Sequence, residues 1–235
     1  MGRAIQTLLF DFGGTLDADG VAWKERFHDH YLQEGLGLDA DAFAPVFYAA
    51  DDPLVGTTDQ DADLAAVVRM LTANIETEIA RRGDQGASSA RAARVADRFL
   101  EETGQALRRN RPALEALKAR YRLGVVSNFY GNLPSVCRAT GIDELFDAIV
   151  DSEQVGARKP EAAIFEAALK PAGGAAGTAL MVGDSLHRDR AGAQGAGLQF
   201  VWIATPEAQA QRTRSEGPAP HPVIERLDQL ADMLL

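Results

Sequence analysis

The sequence predicts an α/β fold, a Rossmann-like parallel sheet core with an inserted all-helical domain. Five short apolar runs, at 5–10, 123–126, 148–150, 179–182 and 200–203, are each too short for a helix and end in Asp, Ser, Gly or Thr. Unbroken apolarity without alternation suits strands buried on both faces, as in a parallel sheet. Helix-like segments at 112–120, 133–140, 161–169 and 189–196 separate the later runs. That alternation implies right-handed crossovers. Residues 17–110 contain no strand-like run, and the stretch is far too long for an ordinary strand-to-helix connection.

Taken in order, 1–16 supplies the first strand and the turn after it. Residues 17–110 form the helical insertion, with hinges expected at 15–17 and 110–112. Its helices are signalled by Trp23, Phe27 and Tyr31, by Leu64, Val67, Val68, Leu71, Ile75 and Ile79, and by a third segment at 90–107, with a loop at 83–89. Residues 111–235 return to the core. The tail from 223 reads as a short edge strand or turn and a closing helix.

Composition narrows the function. The chain has 235 residues, with 24 Lys+Arg against 34 Asp+Glu, a net charge of −10. General nucleic-acid binding rests on basic surface, so it is disfavoured, as is an anionic membrane surface. A small anionic substrate stays open, because a local site can oppose the global sign. One cysteine, Cys137, excludes an internal disulfide framework. No apolar run approaches the ~20 residues of a membrane span, and residues 1–5 carry no secretory signature, so the expected location is cytoplasmic.

Ligands of open α/β sheets bind beyond the carboxyl ends of the strands, which directs attention to Asp11, Ser127, Asp151, Asp184 and Thr205. Asp11 opens Asp11-Phe12-Gly13-Gly14-Thr15-Leu16. Ser127 is followed by Asn128. Lys159 precedes Pro160, and Asp184 follows Gly183, with Asp189 shortly after. Two carboxylates at neighbouring strand tips suit Mg²⁺, which takes one or two carboxylates plus water and substrate phosphate. One carboxylate can instead attack phosphorus. A hydroxyl, an amide and an ammonium would hold the remaining phosphoryl oxygens. Singly, Asp11 reads as a turn residue, Lys159 as a solvated lysine, and Asp184 and Asp189 as helix-start acids. Together, in order and at matching strand ends, they form a functional set.

In this set the chain resembles the haloacid dehalogenase-like hydrolase superfamily, and the helical insertion after the first motif resembles that family's cap. The resemblance implies Asp11 as nucleophile and metal ligand, and Ser127, Asn128 and Lys159 as phosphate-binding groups. Ser127 and Lys159 would also be catalytic. Asp184 and the Gly13 carbonyl would complete the protein ligands of Mg²⁺, with Asp189 supporting the metal site. It further implies a small phosphorylated metabolite as substrate and a monomer or homodimer.

Position 13 departs from the pattern, because family phosphatases carry Asp there as general acid and base. Such help is worth roughly 3–5 kcal/mol of barrier, so weak action on poor leaving groups is expected unless Asp17, Lys24, Glu25 or His28 substitutes. Gly13 also admits carbon–halogen or carbon–phosphorus hydrolysis, with Lys24 the one candidate for a Schiff base, or a non-catalytic binding protein with a degenerate site.

Cys137, Trp23, Phe27 and Tyr31 read as packing residues and His187 as a surface residue. Phe129 and Tyr130 either shape the substrate pocket or pack beneath the cap. Asp59, Asp61 and Asp63 lack the glycine and closing Glu of a calcium loop and read as a solvated helix start.

Overall fold

The computed structural model describes residues 4–83 and 86–235. The expectations for residues 1–3 and for the middle of the 83–89 loop fall outside that range. Six parallel strands form one sheet: β1 (Thr7–Phe10), β2 (Arg122–Ser127), β3 (Ala148–Asp151), β4 (Ala179–Gly183), β5 (Gln199–Ile203) and β6 (Val223–Ile224), in the order β3-β2-β1-β4-β5-β6. The five apolar runs are the five longer strands, and the tail supplies the edge strand. The order reverses direction around β1, between β2 and β4, where a parallel sheet opens a crevice. Phe10 lies beside Val125 and Val182, so Asp11, Ser127 and Asp184 emerge at one edge.

Four helices lie between β1 and β2: α1 (Trp23–Gln33), α2 (Ala40–Asp51), α3 (Leu64–Arg82) and α4 (Ser89–Lys118). Asp39 and Asp63 cap α2 and α3 through the amides of Ala42 and Ala66, so Asp63 belongs to a helix start, as the sequence suggested. The remaining helices are α5 (Leu133–Ala139), α6 (Ser152–Val155), α7 (Ala162–Leu169), α8 (Ala191–Gly195), α9 (Pro206–Glu216) and α10 (Leu227–Leu234).

One expectation is corrected. The segments at 90–107 and 112–120 are a single helix, α4, which passes through Pro112 without ending, so residues 110–112 are not a break between elements. An interior proline costs ~3 kcal/mol or more. The buried stripe explains why the helix tolerates it: Phe99, Thr103, Ala106, Leu107, Asn110, Ala113, Leu114 and Leu117 keep helical spacing on both sides of the proline.

Alternating strand residues separate two apolar layers. Leu9, Val126, Met181, Phe200 and Trp202 face α7 and α8. Leu8, Phe10, Val125, Val182 and Ile203 face the other way, and their cluster continues without a gap through Leu114 and Leu117 to Phe27, Phe43, Val67 and Leu71 of the inserted helices. Polar contacts tie the same parts together: Asn110 Nδ2 donates to the Leu16 carbonyl, Asn132 Nδ2 to that of Ala62, and Ser135 Oγ to that of Asp61. Among the described residues, no helix is long and apolar enough to cross a membrane.

Candidate active site

Asp11 follows β1 directly and is 7% exposed. Its amide donates to the Val182 carbonyl, extending the ladder past the strand. Its Oδ1 accepts three hydrogen bonds: from the Phe12 amide at 2.8 Å, Ser127 Oγ at 2.7 Å and Lys159 Nζ at 2.7 Å. Oδ2 accepts none among the described residues. One oxygen is therefore fixed and the other is available.

The chain then turns sharply at Gly14, whose φ is +86°. A Cβ there would lie 2.7 Å from Asp184 Oδ2. Glycine thus serves both the left-handed backbone and the close approach of the second carboxylate. Asp184 is partly exposed. Its carbonyl accepts from Trp202 Nε1 at 2.9 Å, which fixes the loop on β5. Gly183 plays the parallel role for Asp189, whose Oδ2 would lie 2.3 Å from an added Cβ.

Lys159 is 4% exposed and bridges Asp11 and Asp189, with Nζ 2.7 Å from Oδ1 of each. Asp189 Oδ2 accepts the Ser185 amide at 3.0 Å, so both its oxygens are engaged. Burial pulls the lysine down, but the two carboxylates outweigh it and hold the ammonium above its ordinary pKa. Asn128 is committed differently. Its Nδ2 donates to the Lys159 carbonyl at 3.0 Å and its Oδ1 accepts the Lys159 amide at 2.8 Å. The side chain is a backbone clamp that aims the lysine. One Nδ2 proton and one Oδ1 lone pair are spent in this clamp, which leaves the second Nδ2 proton and the backbone amide for a ligand.

One oxygen from each of Asp11, Asp184 and Asp189 lies within 4.8 Å of the others. Three carboxylates face one ammonium. Desolvation first, and then the charges of Asp11 and Asp189, push Asp184 well above the usual carboxylate range. A hard divalent cation would relieve that surplus, and oxygen donors are what it requires. The residues fit such an ion.

Asp11 and Lys159 open into a cavity of about 210 Å³, walled by the core loops and by α1 and α2. Its lining includes Gly13, Ser127 and Asn128. Lys24 and Glu25 line it too and form an ion pair at 3.3 Å. Two other acid–base candidates do not belong to it. Asp17 is 1% exposed and spends both oxygens, Oδ1 on the Gly14 amide at 2.6 Å and Oδ2 on Trp23 Nε1 at 2.6 Å and Arg26 at 2.9 Å. His28 turns its Nε2 to the Leu38 carbonyl, 2.8 Å away.

Sequence reasoning missed Asp51, Tyr48, Arg158 and Arg188, which line the cavity. Arg158 stands next to Lys159 and Arg188 next to Asp189, so adjacency to the motifs was the available signal. Asp51 and Tyr48 sit on α2, a helix the sequence reading did not identify. Trp23, read as packing, also walls the cavity. Phe129 and Tyr130 do both things considered for them: they are buried among Trp23 and Phe12, they line the cavity, and the Tyr130 hydroxyl donates to Asp51. Cys137 is buried and His187 exposed, as expected.

A family model described as haloacid dehalogenase-like hydrolase matches residues 5–197. The pyrimidine 5'-nucleotidase YjjG of Escherichia coli is 34% identical over 123 residues, covering 52% of this chain and 53% of that protein. A glyceraldehyde 3-phosphate phosphatase of Methanothermobacter thermautotrophicus is 34% identical over 117 residues, covering 48% and 51%. The chain thus spans about half the length of the curated relatives it matches. Among solved structures, the HAD-hydrolase YfnB of Bacillus subtilis, bound to magnesium, superposes with a TM-score of 0.57 over 99% of each chain at 21% identity, a likeness of fold.

Proposed function

Because the chain belongs to the haloacid dehalogenase-like hydrolase family, we propose that it hydrolyses a small phosphomonoester through an aspartyl-phosphate on Asp11, in a Mg²⁺-dependent reaction. The observation that carries this reading is the asymmetry of Asp11: Oδ1 is pinned by three donors while Oδ2 is free of them. A carboxylate so held presents one oxygen in a fixed direction for in-line attack.

In this reading Asp11, Asp184 and the Gly13 carbonyl hold Mg²⁺. When bound, the ion neutralises charge on the phosphoryl oxygens and orients them. Asp189 supports the ion indirectly, since its own oxygens are engaged by Lys159 and the Ser185 amide. Ser127 Oγ, on turning its one proton from Asp11 Oδ1 to the substrate, and the Asn128 backbone amide would hold phosphoryl oxygens. Lys159, kept protonated by its two carboxylates, offsets the charge that builds during transfer. Attack by Oδ2 would form the acyl phosphate as the bond to the ester oxygen breaks, the leaving oxygen taking a proton from solvent; water, losing a proton to solvent, would then release phosphate and restore the Asp11 carboxylate. Residues 17–110 act as a cap that limits water and contacts the rest of the substrate. The substrate is a small phosphorylated metabolite, consistent with the names of the two curated relatives.

The test is turnover of p-nitrophenyl phosphate with Mg²⁺, with chelator, and in Asp11→Asn. Turnover that needs the metal and falls at least ~10³-fold in the variant supports the reading. Turnover that survives either change overturns it.

A further inference from the structure

The cavity that opens onto Asp11 and Lys159 carries two more cations than phosphoryl chemistry uses. Arg158 and Arg188 both line it. Several other arginines are paired: Arg26 with Asp17, Arg91 with Glu76, Arg109 with Asp19 and Arg111 with Glu144. Among the described residues neither cavity arginine has an ion pair, and Arg188 has only Ser185, whose Oγ lies 3.5 Å from its Nε. Lys24, in contrast, is already neutralised by Glu25.

Their placement is informative. Arg188 is within electrostatic reach of Asp11, Asp184 and Asp189 on one side and of Tyr48 on α2 on the other. Asp51, at the end of α2, feels both Arg188 and Arg158. Both guanidiniums line one cavity with Asp11, Ser127 and Lys159 of the core and with Tyr48 and Asp51 of α2, where the rest of a substrate would lie. The single opposing carboxylate, Asp51, accepts the Tyr130 hydroxyl on Oδ1. Beyond the acids of the phosphoryl site and the Lys24–Glu25 pair, Asp51 is the one acid among the described residues that shares the cavity with the two guanidiniums, in a chain whose net charge is −10. A guanidinium presents a planar fork of donors that matches a carboxylate or phosphate.

We infer that Arg158 and Arg188 form a second anion subsite, so that the substrate carries a carboxylate or a further phosphate beyond the phosphoryl group that is transferred. This rests on the phosphomonoester reading above. It assigns the two arginines to substrate selection and the motif residues to chemistry.

The probes are non-hydrolysable phosphonates, measured by calorimetry on the Mg²⁺-loaded protein. Propylphosphonate has one anionic group. 3-Phosphonopropionate and 4-phosphonobutyrate add a carboxylate at two reaches, and propane-1,3-diphosphonate adds a phosphonate. The expected result is a preference of about ten-fold or more for at least one doubly anionic probe. Arg158→Gln and Arg188→Gln each shrink it, and together they abolish it. The carboxylate and phosphonate arms show which group the subsite takes. A preference that survives both substitutions overturns the inference, since it then comes from the metal. Equal binding of all probes overturns it while leaving the phosphoryl reading intact. Binding of none overturns both.

Discussion

A Cβ added to Gly13 would lie 3.2 Å from Nε1 of Trp23. The indole thus fills the space in which an acid at position 13 would begin. It is held there by Asp17 Oδ2, itself bound by Arg26. Backbone strain is not the obstacle, since Gly13 has an ordinary φ of −73° and ψ of 119°. Gly13→Asp is therefore expected to be overpacked and to lose about 1–3 kcal/mol in denaturant unfolding. Combining it with Trp23→Leu recovers part of that loss. The combined variant should also turn over unactivated alkyl phosphates faster than Trp23→Leu alone. No gain would mean that another group already handles the proton.

Removing the ammonium between Asp11 and Asp189 leaves buried carboxylates facing one another. Lys159→Met should destabilise the metal-free protein by about 3–5 kcal/mol. It should also lower turnover at least ~10²-fold. Unfolding curves and steady-state rates check both. A variant as stable as the parent would contradict the bridge that Lys159 makes between the two carboxylates.

Mg²⁺ should raise the melting temperature of the intact chain, because only the folded state gathers Asp11 and Asp184. At a hundred-fold excess over its dissociation constant the gain is about 2.7 kcal/mol. Asp184→Asn should remove most of this Mg²⁺-dependent gain, and a chelator should abolish it in the parent. Undiminished stabilisation of Asp184→Asn would place the ion elsewhere.

His30 on α1 is 2% exposed, its Nε2 is 3.1 Å from Glu102, and its Nδ1 has no hydrogen-bond partner among the described residues. Burial lowers its pKa below the ordinary 6.5 despite the opposing pull of Glu102. The folded state therefore binds the proton less readily than the unfolded chain. The stability contributed is complete above 6.5 and is lost as pH falls through the lowered value. Denaturant unfolding between pH 7.5 and 5 should show that decline in the parent and a flatter profile in His30→Asn.

Burial, with smaller contributions from Asp143 and Asp151, pushes the Cys137 thiol up to about 12. It should resist alkylation at pH 8 in the native protein and react readily in denaturant. Rapid labelling of the native state would contradict the packing of α5.

The strands were legible because each is an unbroken apolar run with a polar residue at its tip, and the motif residues sit on those tips. Where the sequence misled, a proline was involved. Pro112 suggested an ending inside α4, although the buried stripe continues past it. α2, with Pro45 inside it, went unread, although Phe43, Val46, Phe47 and Ala50 keep helical spacing. With α2 unseen, Asp51 and Tyr48 could not be assigned to the cavity. Nor does spacing reveal competition for a side chain: Asp17 stands six residues from Asp11 and looks available, but Trp23, Arg26 and Gly14 consume it. The commitment of Asn128 to the backbone of Lys159 depends on a contact across 31 positions.

The unbroken course of α4 bears on how the molecule can be divided. Excising residues 17–110 would sever this rod about three-quarters of the way along and strip Phe99 and Leu107 of the Leu114 and Leu117 layer that shares their apolar body. The inserted helices and the sheet share one apolar body. Heat or denaturant should dissolve both in one concerted step, and any breathing of the cleft has to bend around a continuous helix.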